Sequence, residues 1–239
     1  MSSDIHGPIW SKNRLLAKLP EADQARLVPL LRPTKLAFKR VLYEAGGPID
    51  HAYFPLGAVL SALTLMEDGN AIEVATVGNE GVVGATFGGS SRISPNQVIV
   101  QIGDGGLRIE AKLLEEEAGR SPRLRHLLAD YQTAFLSQVS QSVACNGLHR
   151  LEQRCSRWLL MTRDRVGSDE LRLTHEYLGV MLGARRASVT DVLRPLQDAG
   201  LVSSARGQIT ILDGKGLEAT TCECYRVVRT AYDRLLGPM

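Results

Sequence analysis

Apolar residues recur along this chain with changing periods. Over residues 12–32 the spacing is helical, with Leu15, Leu16 and Leu19 in one stripe and Leu27, Leu30 and Leu31 in another. Pro20 is placed to open the second of these helices. From Lys35 to about Ile109 the pattern shortens to β-rich runs: Val41–Tyr43, Ala52–Phe54, Val59–Leu65, Ala71–Val77 and Val98–Ile102. Turn chemistry separates them at Gly46-Gly47-Pro48, Pro55-Leu56-Gly57, Asp68-Gly69-Asn70 and Gly103-Asp104-Gly105-Gly106. Many short strands with glycine-rich turns predict a sandwich or jelly roll rather than a parallel sheet. Residues 87–97 interrupt the pattern as a polar loop expected to face a pocket.

Helical spacing returns at Lys112. After Ser121-Pro122, residues 123–145 form one long amphipathic segment. Leu124, Leu127/Leu128, Tyr131, Phe135, Val139 and Ser142/Val143 lie at near-heptad intervals, a stripe that can bury against its own domain or against a twin helix. Asn146 is expected to cap a further helix, Leu148–Arg163, with a hinge near Cys145–Gly147. A last helix is expected over residues 215–236.

Leu173–Leu212 carries the sharpest local signal. Thr174 suits a helix N-cap, and Leu178, Met181 and Leu182 give that helix one apolar face. Gly183 permits a sharp turn. In the next helix Val189, Val192, Leu193 and Leu196 form one buried stripe, and Arg185, Arg186, Ser188 and Asp191 open the opposite face. Pro195 falls inside that helix, past the exposed turn. Gly200 closes it, and Ser203–Leu212 turns back on itself around Arg206-Gly207. A helix-turn-helix followed by a β-hairpin wing places the start of its second helix in a DNA major groove.

Charge agrees with that placement. Residues 146–212 hold ten Arg, no Lys and seven acids, whereas residues 1–120 hold twelve basic and fourteen acidic residues. The formal net charge of +2 therefore hides a basic C-terminal part, where a polyanion docks.

The same segment resembles the winged helix of the Crp/Fnr superfamily of bacterial transcription regulators. Upstream, VLYEAGGPIDHAYFPLGAVLSALTLMEDGNAIEVATVGNEGVVG (Val41–Gly84) is similar to that family's cyclic-nucleotide-binding-type β-domain. The resemblance implies an α+β chain in three parts: a β-roll, jelly-roll-like sensor domain over residues 1–120, a central dimerisation helix over 121–146, and a winged helix-turn-helix domain over 147–239. It implies a cytoplasmic homodimer on double-stranded DNA with a two-fold symmetric operator, and RNA polymerase as a further partner. Arg185, Arg186, Ser188 and Asp191 are then expected to face bases, and Thr174, His175 and Arg206 phosphates. The best-known catabolite activator pattern has Glu where this chain has Ala187 and Arg where it has Asp191, so a different operator is expected. The family's dimer helix implies Leu124, Leu128, Tyr131, Phe135, Val139 and Ser142 as the dimer interface.

Cyclic-nucleotide members bind phosphate with a Gly-Glu-Leu segment and an Arg some ten residues later. The matching positions here are Gly84-Ala85-Thr86 and a point near Pro95-Asn96, so cyclic AMP is disfavoured and the effector is left unknown. Gly84, Thr86, Ser91, Arg92 and Ser140 are the candidate effector-binding residues. The oxygen-sensing branch holds an iron–sulfur cluster on N-terminal cysteines, and this chain has no cysteine before Cys145, which disfavours such a cluster. Haem would need an axial ligand such as His51 or His149 and is also disfavoured. Cys222-Glu223-Cys224 has a single residue between its thiols, shorter than usual zinc spacing, so no metal site is expected.

Composition excludes other classes. At 44% hydrophobic and 23% charged, the 239 residues fit an ordinary soluble globular protein of one large or two small domains. No apolar run spans a bilayer, and MSSDIHGPIW lacks the pattern of a signal peptide, so no membrane partner is expected. The cysteine spacing suggests no disulfide framework. G-x-S-x-G, P-loop and H-E-x-x-H motifs are absent, and no catalytic residue or enzyme activity is expected. Two other readings stand beside the regulator: a ligand-binding module acting through protein contacts without DNA, and a redox or metal sensor using Cys222 and Cys224.

Overall fold

The computed structural model describes residues 8–85 and 92–238. The chain begins with short helical pieces, a 3-10 turn at Ile9–Lys12, α1 (Arg14–Ala17), α2 (Glu21–Leu27) and a second 3-10 turn at Val28–Leu30. Seven strands follow: β1 (Arg32–Leu36), β2 (Val41–Tyr43), β3 (His51–Pro55), β4 (Val59–Leu65), β5 (Ala71–Val77), β6 (Gln97–Ile102) and β7 (Asp104–Glu110). They form two antiparallel sheets, ordered β1-β7-β3 and β2-β6-β4-β5. Leu36 and Tyr53 from one sheet share a buried cluster with Tyr43, Leu60, Val77 and Val100 from the other, so the sheets face each other across one core.

Two of these strands are absent from the sequence reading. β1 reads RPTKL and buries only Leu36, so no alternation marks it. Its Pro33 is tolerated because β1 is an edge strand. The stretch Gly103–Gly106, expected as a turn, runs into β7, where Gly105 and Gly106 pair with Lys35 and Thr34. Those glycines serve close approach rather than chain reversal: a Cβ on Gly106 would fall 2.5 Å from Leu36 Cδ1.

Helices α3 (Ala111–Arg120), α4 (Pro122–Leu148) and α5 (Leu151–Val166) come next. Ser121 caps α4, its hydroxyl accepting from the Leu124 N–H at 3.1 Å, and Pro122 occupies the first helical position. Asn146 lies inside α4 rather than capping α5. The helix break falls at His149–Arg150, and Arg150 caps α5.

The apolar stripe of α4 turns inward. Leu124, Leu128, Tyr131 and Ser142 are buried in this chain's own core, and Phe135 and Val139 pack against the β-domain cluster. Of these six residues, expected at a dimer interface, four are buried and Phe135 and Val139 are partly covered within one protomer. Gln138, on the same face, is buried and makes three hydrogen bonds. Its Nε2 donates to the Thr76 carbonyl at 3.0 Å, and its Oε1 accepts from Arg165 Nη2 and from the Tyr232 hydroxyl, each at 3.0 Å.

The C-terminal lobe comprises β8 (Glu170–Leu171), α6 (His175–Leu182), α7 (Arg186–Asp198), β9 (Val202–Ala205), β10 (Gln208–Ile211), α8 (Gly214–Ala219) and α9 (Cys224–Leu236). The single last helix expected over 215–236 is broken. Thr220 and Thr221 turn their hydroxyls onto the Leu217 and Glu218 carbonyls and end α8. α9 then folds back along α4.

The lobes meet through a buried polar seam. Arg165 Nε approaches Glu80 Oε1 to 2.8 Å with side chains only 7% and 5% exposed, an ion contact without the alignment of a hydrogen bond. Close backbone approach makes room for it, since a Cβ on Gly78 would collide with Arg165 and one on Gly81 with the Tyr131 ring. Above the seam, Glu73 accepts from Ser61 Oγ at 2.6 Å and from Trp158 Nε1 at 2.9 Å. Burial pushes its carboxyl up to about 7.

Candidate DNA-binding surface

The helix-turn-helix is set by local chemistry. Thr174 Oγ1 accepts from the Tyr177 N–H at 3.1 Å and starts α6. Gly183 ends it at φ 59°, the left-handed region that favours glycine. Gly179, buried within α6, lets the turn pack onto the helix: a Cβ there would sit 2.7 Å from the Ala184 carbonyl oxygen. The sequence reading missed Gly179; an isolated glycine inside a helical pattern is the signal that marks it. Val189, Leu193 and Leu196 of α7 are buried with Leu178, Met181 and Leu182 of α6 and Val202, Ile209 and Ile211 of the wing.

This packing leaves the start of α7 in solvent. Arg185, Arg186 and Asp191 are exposed, and Ser188 is half-buried. Pro195 sits in α7 on the solvent side, beyond these residues. Among the described residues Arg185, Arg186 and Arg206 enter no ion pair. Three arginines of α5 are instead committed to partners within the chain: Arg165 to Glu80, Arg163 to Asp169 at 2.5 Å, and Arg154 to the Leu182 carbonyl.

The wing turns tightly. Arg206 and Gly207 have φ of 50° and 79°, the two left-handed positions of a two-residue hairpin. A non-glycine residue there carries local strain of order 1 kcal/mol. A concavity of about 400 Å³ lies between α7 and the wing, and Thr174, His175, Arg186, Ser204 and Arg206 all line it. Four of the seven residues selected from sequence thus converge on one groove, and Arg185, Ser188 and Asp191 stand on the adjoining helix face.

His175 has a different part from the one expected. Its Nδ1 lies 3.0 Å from Thr190 Oγ1 and its Nε2 2.8 Å from Ser204 Oγ. Thr190 already donates its hydroxyl hydrogen to the Arg186 carbonyl, so Nδ1 carries the ring proton and Nε2 accepts from Ser204. Burial, with help from the Arg186 charge, lowers the His175 pKa and keeps the ring neutral. His175 ties the recognition helix to the wing. Thr190 and Ser204, its partners, had no sequence signal of their own.

In the β-domain a cavity of about 210 Å³ is lined by Tyr43, Val83, Gly84, Asn96, Tyr131 and Phe135, among others. Of the candidate effector residues that the structure describes, Gly84 lies on it and Arg92 and Ser140 do not. Arg92 points outward to Glu115 at 3.1 Å, and Ser140 is on the exposed face of α4. Thr86 and Ser91 lie outside the described residues. Tyr43 spans the cavity floor, its hydroxyl donating to the His51 carbonyl at 2.5 Å.

Comparisons with known proteins agree with this architecture. Residues 153–220 match the Crp-like helix-turn-helix domain. The chain is 27% identical to the transcriptional regulator SdrP of Thermus thermophilus over 180 residues, 72% of this chain and 84% of that protein. In fold it is similar to a Crp/Fnr-family regulator from Eubacterium rectale, with TM-score 0.65, 20% identity, and coverage of 88% of this chain and 98% of that one. It is also similar to FixK2 from Bradyrhizobium japonicum, with TM-score 0.68, 17% identity, and coverage of 80% and 98%. No helix among the described residues is long and apolar enough to cross a membrane. A β-rich N-terminal domain, a long helix and an outward-facing Crp-like helix-turn-helix make this chain similar in architecture to Crp/Fnr-family regulators, and the matched domain supports a DNA-binding transcription regulator.

Proposed function

We propose that the chain acts in the cytoplasm as a homodimer on a two-fold symmetric operator, with no enzymatic step. The observation that carries this reading is the uncommitted arginine cluster at the start of α7 beside a strained, arginine-tipped wing. Arg185, Arg186, Ser188 and Asp191 read base edges, and Thr174 and Arg206 hold phosphates. His175 positions the two elements rather than gripping the backbone itself.

The dimer seam in this reading is the outer face of α4. Ala129, Thr133, Leu136, Ser140, Val143 and Gly147 follow alternating four- and three-residue steps, and all are exposed, Leu136 at 63% and Val143 at 66%. Small residues between two exposed aliphatics suit close approach of a twin helix. Such a dimer places its recognition helices on half-sites about 34–36 Å apart.

The effector, in this reading, is a small neutral molecule rather than a cyclic nucleotide. No lysine, arginine or histidine occurs among the described lining residues, and none occurs in the sequence from Gly84 to Ser91. A phosphate there would lack a counter-charge. Such a ligand regulates by binding two arrangements of the lobes unequally across the Arg165–Glu80 seam. RNA polymerase is the further partner through which promoter activity would respond.

Light scattering and operator titration test the assembly together. The chain is expected to be a dimer with steeply salt-dependent, sequence-selective affinity. Leu136→Asp with Val143→Asp is expected to yield monomers with much weaker operator binding. A dimer that survives both charges, or binding indifferent to salt, contradicts this reading and favours a module acting through protein contacts.

A further inference from the structure

Where α4 ends and α9 begins, four metal-ligating side chains meet. Cys145, His149, Cys222 and Cys224 place their three sulfurs and one ring nitrogen all within 4.8 Å of one another. Cys145 Sγ lies 3.5 Å from Cys222 Sγ, and Cys224 Sγ lies 3.4 Å from His149 Nδ1. We propose that these residues form a tetrahedral Cys3His site for a thiophilic divalent cation, zinc in the first instance, which clamps the C-terminal helix to the central helix.

The dimensions favour a single ion. A tetrahedron with zinc–sulfur bonds of about 2.3 Å has edges of about 3.8 Å, close to the separations seen. A cubane iron–sulfur cluster needs its ligands spread around a much larger core. A Cys145–Cys222 disulfide would use two of the four groups and leave the convergence of Cys224 and His149 without a purpose. Cys145 lies in the last turn of α4 and His149 caps its end, its backbone N–H bonded to the Cys145 carbonyl at 3.1 Å, while Cys222 and Cys224 flank Glu223 at the turn into α9.

The surroundings also fit. The Glu223 carboxylate lies 3.4 Å from His149 Nε2, an arrangement that holds the far ring nitrogen protonated and turns Nδ1 toward the sulfurs. Gln141 Nε2 donates to Cys224 Sγ at 3.1 Å, the kind of bond that steadies a thiolate ligand. Binding releases one proton from each of three thiols, so zinc with three thiolates and a neutral histidine carries one net negative charge. The buried Arg157 guanidinium supplies the opposite charge beside Cys145, and its Nε has no hydrogen-bond partner among the described residues.

The sequence spacing concealed this site. Cys222-Glu223-Cys224 is too short to announce zinc alone, and its partners lie about 75 residues away on another helix. α9 meets its ligands at the end of α4, which in the reading above is the helix that joins the two protomers. Loading the site would fix the C-terminal lobe to that helix.

The test uses the full chain, purified reduced and without added chelator. Elemental analysis is expected to find one zinc per protomer. Cobalt(II) titrated into the metal-stripped chain is expected to give the intense visible bands of tetrahedral thiolate coordination. Cys222→Ser is expected to lose both signals, while Cys155→Ser, a buried cysteine outside the cluster, keeps them. Glu223→Gln, which leaves all four ligands in place, is expected to weaken zinc 10–100-fold. Four reduced thiols with no retained zinc and no tetrahedral cobalt spectrum would overturn the proposal. So would a native Cys145–Cys222 disulfide, or a cobalt spectrum unchanged in Cys222→Ser.

Discussion

At the start of α7, Arg185 and Arg186 stand in solvent with no ion pair among the described residues, beside a wing held in a strained turn. Beside the β-domain cavity Arg92 is turned outward onto Glu115, and the described walls are aromatic, aliphatic and neutral polar residues. One region presents unpaired cations, and the other carries no cation among its described lining residues. The difference teaches that net charge is a poor guide to a binding surface until each cation's partner is known. Of ten arginines in residues 146–212, Arg154, Arg163 and Arg165 are spent on partners within the chain, and the proposed reading surface draws on Arg185, Arg186 and Arg206, which are not.

That comparison predicts effects of different sizes. Replacing Arg165 with Met breaks the seam that joins the two regions and leaves Glu80 buried without its partner. Chemical denaturation should register a loss of about 3–5 kcal/mol. Arg186→Ala acts on the reading surface alone. Specific operator binding should weaken by about 1–3 kcal/mol with unfolding free energy unchanged. Unaltered affinity and salt slope in that variant would remove Arg186 from the interface.

Arg206→Asn separates positioning from strain. Asparagine tolerates the left-handed turn better, so the hairpin should gain stability, while affinity drops for all sequences alike and the salt slope falls by about 1. The effect confined to a pH window belongs to Glu73, which Ser61 and Trp158 hold beside the seam. An ordinary Glu titrates near 4.3, and here burial raises the carboxyl to about 7. A raised acid favours the folded state most at low pH, so its contribution is full below about pH 4.3 and is lost as pH rises toward 7. Glu73→Gln should flatten the stability profile across that window in thermal melts followed by circular dichroism.

The sequence reading succeeded where structure depends on neighbours along the chain. β2, β4 and β5 have the boundaries that their apolar runs predict, Thr174 and Gly183 do what their residue types demand, and the chain reverses at Arg206-Gly207 as expected although Arg206 is strained there. It failed where a long-range partner decides. β1 is a strand because β7 pairs with it, not because RPTKL alternates. The heptad-like stripe of α4 packs inward against the β-domain and α9, which leaves Leu136 and Val143 outside. His175 looked like a phosphate donor until Thr190 and Ser204 were brought to its two nitrogens. Cys145 and Cys222 are distant in sequence and adjacent in space for the same reason.

Selection of bound sequences from a random duplex pool tests the central claim most directly. The account predicts enrichment of a two-fold symmetric motif with half-sites about one helical turn apart, and loss of base preference within each half-site for Arg186→Ala. An asymmetric motif, or a pool that Arg186→Ala enriches as the parent chain does, would contradict it.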